Sequence, residues 1–140
     1  MRRIAAGLIA AFMLGACLAS YGAGLGDPDV VDYVLANPTT GQVALLLNVD
    51  APLSTEDAEG KLNRKIASYV AFVQSGQLYR DYPQVKEPAP IRISIVFEHP
   101  VPATALPNLR SVKAHLEQLG YQVQLRAYDA EKRKSVDLEP

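Results

Sequence analysis

The spacing of apolar residues alternates between two periods along this chain, and this alternation constrains its fold more than any other feature. In residues 42–49 apolar side chains occupy every second position, which predicts a β-strand with a buried face. In residues 55–75 they recur every three or four positions, which is typical of one face of a helix. Both patterns return further along the chain, with proline or glycine between them. The sequence therefore predicts a domain in which helices pack on a sheet.

The whole pattern predicts four strands and two helices in the order ββαβαβ. Loop 37–41 has proline and glycine where a hairpin favours them, so the first two strands should be antiparallel neighbours. Connections through helices cross over right-handedly, which places both helices on one face. We therefore predict a single α+β domain, a four-stranded mixed sheet with two helices on one face. The predicted strands are 30–35, 42–49, 91–98 and 121–127, and the predicted helices are 55–75 and 104–120.

The start of the chain has the composition of a bacterial export signal. Two arginines precede an apolar run, residues 4–14, that is shorter than the roughly 20 residues of a membrane-spanning helix. The run ends in residues 14–17, which resemble the lipobox of bacterial lipoproteins, and the resemblance implies that Cys17 carries a lipid. Leu18 stands where an aspartate would resemble an inner-membrane retention signal. The resemblance therefore implies the periplasmic face of the outer membrane in a Gram-negative host.

Cys17 is the only cysteine, which favours lipidation because an unpaired reactive thiol is poorly suited to an oxidising compartment. Two alternatives stay open. An ordinary signal peptidase could remove the segment, with Cys17 incidental, or the start could be misplaced and the domain cytosolic. The preferred interpretation divides the chain into a signal peptide at 1–16, a lipidated and flexible tether at 17–26, the α+β domain at 27–130 and a flexible tail at 131–140.

The charge balance argues against a nucleic-acid ligand. Removing the two arginines of the signal takes the formal net charge from −1 to −3, whereas phosphate binding needs clustered lysine and arginine. Lys132, Arg133 and Lys134 form the one basic cluster of the sequence. We interpret this cluster as part of a solvated, frayed C-terminus.

Four segments of the domain resemble a family of small bacterial domains of unknown function. The chain departs from the family pattern at Ala67, which replaces an asparagine, at Gln74, which replaces a glutamate, and in having no tryptophan. The resemblance implies the fold and the limits of the single domain. It implies no activity, because the family offers none. The matching segments are 27–32, 40–45, 65–76 and 82–83.

Few residues could support catalysis. His99 and His115 are the two histidines, and neither has a neighbour at the spacing of a metal-binding motif. Glu98 could orient His99 at a strand end, but adjacent strand residues point to opposite faces of a sheet. His115 lies on the flank of the second helix, where a half-buried boundary position is the plainer interpretation. We expect no catalytic residue, no metal and no cofactor.

Four aspartates suggest a weaker hypothesis, a calcium site at one end of the predicted hairpin. Their spacing lacks the regular loop of the common calcium motif. The residues concerned are Asp27, Asp29, Asp32 and Asp50.

A cluster of tyrosines is the most suggestive candidate for a binding surface. Tyr79, Arg80 and Tyr82 follow the first predicted helix, and tyrosine and arginine are enriched in the hot spots of protein interfaces. This corner is our candidate partner-binding site, with the polar face of the sheet as a second surface. In the plainer interpretation Tyr69 is a core residue and the other two tyrosines close the lower edge of the domain.

Three functional hypotheses follow. The preferred one is a non-enzymatic protein-binding module held at the membrane by its lipid, and a sharper form is an immunity protein that blocks a toxin delivered to the periplasm. The alternative is a structural or assembly accessory of the envelope. The third is a hydrolase that uses His99 or His115, and the sequence offers no recognisable catalytic set for it.

Overall fold

The computed structural model describes Leu25 and residues 28–55, 57–129 and 131–140. This part of the chain forms five strands and three α-helices, with a short 3-10 turn at Ala103–Ala105. No helix within it has both the length and the apolar character needed to cross a bilayer. The strands are β1 (Tyr33–Ala36), β2 (Val43–Val49), β3 (Ile91–Phe97), β4 (Gln122–Asp129) and β5 (Lys134–Asp137). The helices are α1 (Ala58–Gln74), α2 (Gln77–Asp81) and α3 (Leu106–Gln118).

The five strands form one mixed sheet in which spatial order follows chain order. Strands β2, β3 and β4 are parallel, and β1 and β5 pair antiparallel at the two edges. Leu45 lies opposite Ile93, which lies opposite Val123, so the apolar alternates of the parallel strands share one face. This register follows from burial, because a slip of one residue would turn every apolar side chain to the other face.

The helices cover that apolar face and complete the core. Asn63 of α1 and Asn108 of α3 exchange two side-chain hydrogen bonds, of 3.0 and 3.3 Å, so the two helices lie side by side. Both crossovers therefore place their helices on the same face, as right-handed connections require. The fully buried side chains of this layer include Leu62, Tyr69, Phe72, Leu109 and Leu116.

The predicted α+β class, the mixed sheet and the helices on one face are confirmed. The structure adds one strand and one short helix to the predicted four strands and two helices. Helix α2 lies in the segment that we expected to be an irregular connection. Its five residues bury Leu78 alone, so it is too short to produce a helical period in the sequence.

The expectation of a flexible tail at 131–140 is wrong for its central part, which forms β5. Asp129 lies opposite Lys134 and Arg126 opposite Asp137. The Leu138 amide then donates to the Leu125 carbonyl over 2.8 Å, and the Leu138 side chain packs on the core. Pairing with β5 satisfies the backbone groups of β4 that a terminal edge strand would leave open. Four residues with exposed ends give no clear alternation, which is why the sequence did not predict this strand.

The predicted boundary between tether and domain at residue 26 is also corrected. Leu25 is 2% exposed and belongs to the core. Its backbone amide donates to Asp50 Oδ1 over 3.1 Å, directly after β2. A single leucine among glycines has no periodic neighbours, so its burial could not be read from the sequence. The predicted signal peptide and the predicted lipidation site, Cys17, lie outside the described residues.

The second face of the sheet has no helix on it within the described residues. Arg92, Ser94 and Gln124 lie there in register, as the strand alternation predicted. Leu46 and Val96 share this face and are half-buried. The Ser94 hydroxyl donates to Gln124 Oε1 at 3.4 Å, which is one of few side-chain contacts across this surface.

Candidate functional site

A groove of about 770 Å³ lies at the edge of the sheet where the parallel strands β2 and β3 begin. We call it the amino-edge groove. One wall is the β1–β2 loop, residues 37–41, and the other is the loop 84–90 that leads into β3. The two loops meet where the Val43 amide donates to the Pro90 carbonyl over 2.9 Å. The volume of the amino-edge groove lies within the range of about 300–1,000 Å³ that is usual for ligand-binding clefts.

The first wall is held by a compact turn. Asn37 Oδ1 accepts hydrogen bonds from the amides of Thr39 and Thr40, at 2.9 and 3.2 Å. The Gly41 amide donates back to the Asn37 carbonyl over 2.7 Å, and Gly41 has a φ of 77°, a left-handed conformation that favours glycine. An Asn-Pro-Thr-Thr-Gly sequence therefore forms this loop because its asparagine side chain caps the turn and its glycine closes it.

The second wall is fixed to the helical layer. The Ala89 amide donates to the Tyr79 hydroxyl over 3.2 Å, and the Val85 amide donates to the Tyr82 carbonyl over 2.9 Å. Val85 is buried, which holds the loop against the core from below. Pro88 and Pro90 further restrict its backbone. Both walls are thus held by hydrogen bonds within the chain and by the restricted backbone of their prolines.

The three residues of the predicted partner-binding corner differ in how exposed they are. Tyr82 is 2% exposed and belongs to the core, so it is closed to a partner. Tyr79 is half-buried and braces the loop at Ala89. Arg80 is exposed, and its Nη1 donates to the Ser75 carbonyl over 3.0 Å. The corner therefore supports the wall of the amino-edge groove, and only Arg80 remains available at the surface.

A second, smaller groove of about 390 Å³ runs between α1 and α3. Ile66 and Val70 face Val112 across it, and the amide pair of Asn63 and Asn108 closes one end. His115 lies on its rim and is exposed, where we expected a half-buried position. Ser111, one helical turn before His115, is the one hydroxyl among the lining residues, and no carboxylate lies among them to complete a catalytic set.

The opposite edge of the sheet, which we call the carboxyl edge, gathers polar residues where β2 and β3 end. The Asn48 side-chain amide donates to the Glu98 carboxylate. His99 Nε2 lies 3.2 Å from the Asp50 carbonyl oxygen, and the Asp50 side chain accepts from the Leu25 amide. Glu98 and His99 therefore have separate partners, as their alternation along the strand predicted. A Glu98–His99 relay for proton transfer is not formed.

The three described aspartates of the calcium hypothesis do not form a metal site. Asp29 pairs with Arg64 at 2.9 Å, and Asp32 is fully buried against Lys65. Asp50 is at the carboxyl edge, and Asp27 lies outside the described residues. Among the residues that the structure describes, no group of three histidines, cysteines or carboxylates is placed to hold a metal ion.

The sequence did not predict a fully buried ion pair beneath the sheet edge. Lys65 Nζ donates to Asp32 Oδ1 over 2.7 Å, and both side chains have no exposed surface. Asp32 Oδ2 also accepts from the Asn48 amide over 3.1 Å. A signal was present, because Lys65 follows Leu62 by three positions and precedes Tyr69 by four. That spacing puts a lysine on the buried stripe of α1.

Tyr69 completes this buried cluster, as the plainer interpretation of the tyrosines expected. Its hydroxyl donates to the Leu46 carbonyl over 2.6 Å and accepts from the Asp32 amide over 2.8 Å. Burial, together with the negative charge of Asp32, holds the pKa of Tyr69 well above its ordinary value of 10.0. The cluster has no access to solvent, so it ties the segment before β1 to β2 and α1 and cannot act on a substrate.

Comparison with known proteins agrees with the resemblance at the level of the domain. No curated protein and no solved structure matches the chain. The model of a family of unknown function, DUF6572, matches residues 24–129, which includes the sheet strands β1 to β4, all three helices and both walls of the amino-edge groove. The chain therefore belongs to DUF6572, a family whose function is unknown.

Proposed function

We propose that this protein is an exported, lipid-anchored and non-enzymatic module that binds a protein partner in the amino-edge groove. The observation that carries the proposal is the groove itself, a concave surface of about 770 Å³ between two loops. Loops on a rigid sheet are where binding residues concentrate in proteins. The anchor comes from the sequence, which presents a lipobox-like segment ending at Cys17.

The groove supports binding because its walls are already ordered. A flexible loop that becomes fixed on binding costs about 0.5–1.5 kcal/mol for each immobilised side chain. Here the backbone of the first wall is closed by Asn37 and Gly41, and that of the second is tied to Tyr79. A partner would therefore meet a preformed surface and lose less free energy to ordering.

The lining indicates what such a partner presents. Ala36, Pro38 and Pro88 provide apolar surface. Thr39 and Gln84 provide uncharged hydrogen-bonding groups. Lys86 is the one charged lining residue and is exposed. An extended protein segment with small apolar side chains and an acidic residue opposite Lys86 would complement this surface.

The histidines do not favour the hydrolase hypothesis. His99 contacts a backbone carbonyl and His115 lies on a helix rim, and the two residues belong to different surfaces. We expect the double variant H99A/H115A to fold and to bind the same partner as the unchanged chain. Loss of the partner on that change would contradict the assignment of the groove.

Site-specific photocrosslinking in cells tests the binding site. A benzophenone amino acid is placed at Thr39 or Lys86 in the groove, and at exposed Lys61 on α1 as the matched control. We expect one discrete protein adduct from the groove positions and none from Lys61. Identification of the adduct by mass spectrometry separates the forms of the proposal: a secreted toxin supports the immunity form, and membrane machinery supports the envelope accessory. Equal adducts at all three positions would contradict the groove assignment.

The anchor is tested separately by intact-mass spectrometry of the membrane fraction. We expect a species that begins at Cys17 and carries added acyl mass. A chain that keeps residues 1–16 and remains in the cytosol would overturn both the anchor and the periplasmic location.

A further inference from the structure

The basic cluster that the sequence places in a frayed tail lies in the turn between β4 and β5 and at the first residue of β5, at the carboxyl edge. Asp129 Oδ1 accepts from the amides of Glu131 and Lys132, at 2.9 and 3.1 Å, and so closes the turn between β4 and β5. Arg133, which ends the turn directly before β5, has a φ of 53°. We call Lys132, Arg133 and Lys134 the basic turn; all three residues are exposed.

The basic turn projects from its edge. Ala127 of β4 lies opposite Phe97, the last residue of β3, and β4 continues to Asp129 before the turn begins. At about 3.3 Å per residue, the end of β4 extends roughly 7 Å beyond that of β3. The three cations therefore stand beyond the neighbouring strand ends.

Three of the four carboxylates nearest the basic turn have other partners. The Asp129 carboxylate accepts two backbone amides, and the Glu98 carboxylate accepts from Asn48. Asp137 pairs with Arg126 at 3.6 Å, whereas Glu131 is exposed within the turn and offsets one of its three positive charges. Within the described residues, none of the three cations of the basic turn forms an ion pair. Their charge is thus directed at solvent or at an external anion.

The chain enters the domain at this same edge. Leu25 is buried and bonded to Asp50, directly after β2, which is two strands away from β4. Two strand spacings amount to about 10 Å. The entry point and the basic turn therefore lie close together, on the side of the sheet away from the amino-edge groove.

We propose that the basic turn binds the headgroups of an anionic phospholipid bilayer and so orients the domain with its carboxyl edge toward the membrane. The inference rests on the proposed lipid anchor, because three cations alone give weak, salt-sensitive attraction to a charged surface. The anchor raises the local concentration of the turn at the bilayer, which converts weak attraction into a preferred orientation.

The reach of the chain supports this orientation. Leu25 follows Cys17 by eight positions, which span at most about 29 Å when fully extended. Strand β2 alone covers about 23 Å between the two edges of the sheet. Only a nearly fully extended connection would let the amino-edge groove reach the bilayer. In shorter conformations the carboxyl edge is the end of the sheet that is held near the bilayer, and contacts of the basic turn with the headgroups would then point the groove toward the periplasm.

The test supplies the anchor chemically, so it does not depend on processing in the cell. Every core residue that the structure describes lies at or after Leu25, so a chain that starts at Cys17 keeps the packing described above. Its single thiol is coupled to a maleimide lipid in nanodiscs that also contain a gadolinium-chelate lipid. Amide relaxation by NMR then reports the distance of each residue from the bilayer, with phosphatidylglycerol or with phosphatidylcholine alone.

We expect the strongest broadening at the basic turn and at residues 50–55, and the weakest at 37–41 and 84–90, in phosphatidylglycerol discs. This difference in broadening between the two edges of the sheet should be lost at high salt and in K132Q/R133Q/K134Q, while the amide chemical shifts of the rest of the domain stay unchanged. K61Q/R110Q, which removes two exposed cations outside both grooves, should retain it. Three results would overturn the proposal: uniform broadening, broadening that is the same in phosphatidylglycerol and phosphatidylcholine discs, and broadening that is greatest at the amino-edge groove. Absence of acyl mass in cells would instead reject the proposed anchor and leave this measurement intact.

Discussion

Two adjacent basic residues of α1 bind two aspartates of the same short segment in opposite surroundings. Arg64 pairs with Asp29 at the surface, where the side chains are 63% and 50% exposed, and Lys65 pairs with Asp32 where both are fully buried. Exposed pairs contribute at most about 1 kcal/mol because water screens both charges. Removing one partner of a buried pair typically costs about 3–5 kcal/mol, since the other charge is left without compensation.

We therefore expect Lys65→Met to lower the free energy of unfolding by about 3–5 kcal/mol, and Arg64→Met to lower it by less than about 1 kcal/mol. Urea unfolding followed by circular dichroism measures both. The double variant D32N/K65M should lose less than the sum of its single changes, because it leaves no unpaired charge. Equal effects at Arg64 and Lys65 would show that burial of the pair does not govern its contribution.

Tyr69 links stability to alkaline pH. Its pKa is raised in the folded state by burial and by Asp32. Below a pH of about 10 the hydroxyl is protonated in both states and pH has no effect through this group. Above that pH the unfolded chain releases the proton and the folded chain keeps it, so the free energy of unfolding falls as pH rises toward the folded pKa.

We expect the urea midpoint to fall between pH 9 and pH 11, a window of about one unit either side of the ordinary tyrosine pKa, and to fall less steeply in Tyr69→Phe. At pH 8 that variant should already be less stable by about 1–3 kcal/mol, because the Asp32 amide loses its acceptor. Tyr128→Phe, at an exposed position, is the control and should keep the alkaline slope. If the urea midpoint of Tyr69→Phe fell with pH as steeply as that of the unchanged chain, Tyr69 would not be the source of the alkaline pH dependence.

At the scale of elements, the glycines of α1 and of the hairpin have opposite requirements. Gly60 lies in α1, where an added Cβ would meet no atom within 4 Å, whereas Gly41 holds a φ of 77° in the groove wall. We expect Gly60→Ala to raise the free energy of unfolding by about 0.5–1 kcal/mol, since alanine loses less entropy in a helix. Gly41→Ala should lower it by about 1–2 kcal/mol, because the left-handed conformation crowds its Cβ.

Thermal or urea unfolding of the two glycine variants checks this pair. The signs matter more than the sizes, because neither site has a neighbouring atom to clash with the added methyl group. A loss of stability in Gly60→Ala would mean that the first turn of α1 is frayed in solution.

Element boundaries show where sequence reasoning succeeds. The second and third strands were predicted to within a residue, because full alternation over seven residues fixes both ends. The first strand was predicted to begin at Val30 but begins at Tyr33, since Asp32 turns inward to Lys65 and interrupts the ladder. Strand β5 was missed because it is short and is held by pairing with β4.

At the scale of the whole molecule, the proposed anchor and the domain should be separable. We expect Cys17→Ser to release the protein from the membrane fraction while its thermal unfolding midpoint stays unchanged, because the described core begins at Leu25. Fractionation and calorimetry measure the two effects, and Ala19→Ser, a small change that spares the thiol, is the control. A lower midpoint in Cys17→Ser would show that residues before Leu25 contribute to folding.

The sequence alone determined the fold class, a mixed sheet with helices on one face, and the positions of four strands and the two main helices, because hydrophobic period and turn residues are local properties. It also led to the family, whose model covers residues 24–129. Only the tertiary structure decided that Lys65 is paired inside the core, that Tyr82 is buried, and that the two loops form a groove. It likewise showed that the basic residues near the end of the chain lie in a hydrogen-bonded turn beside the point where the chain enters the domain. These features depend on contacts between segments that are distant in the chain. A local pattern does not specify which distant residue a given side chain will contact.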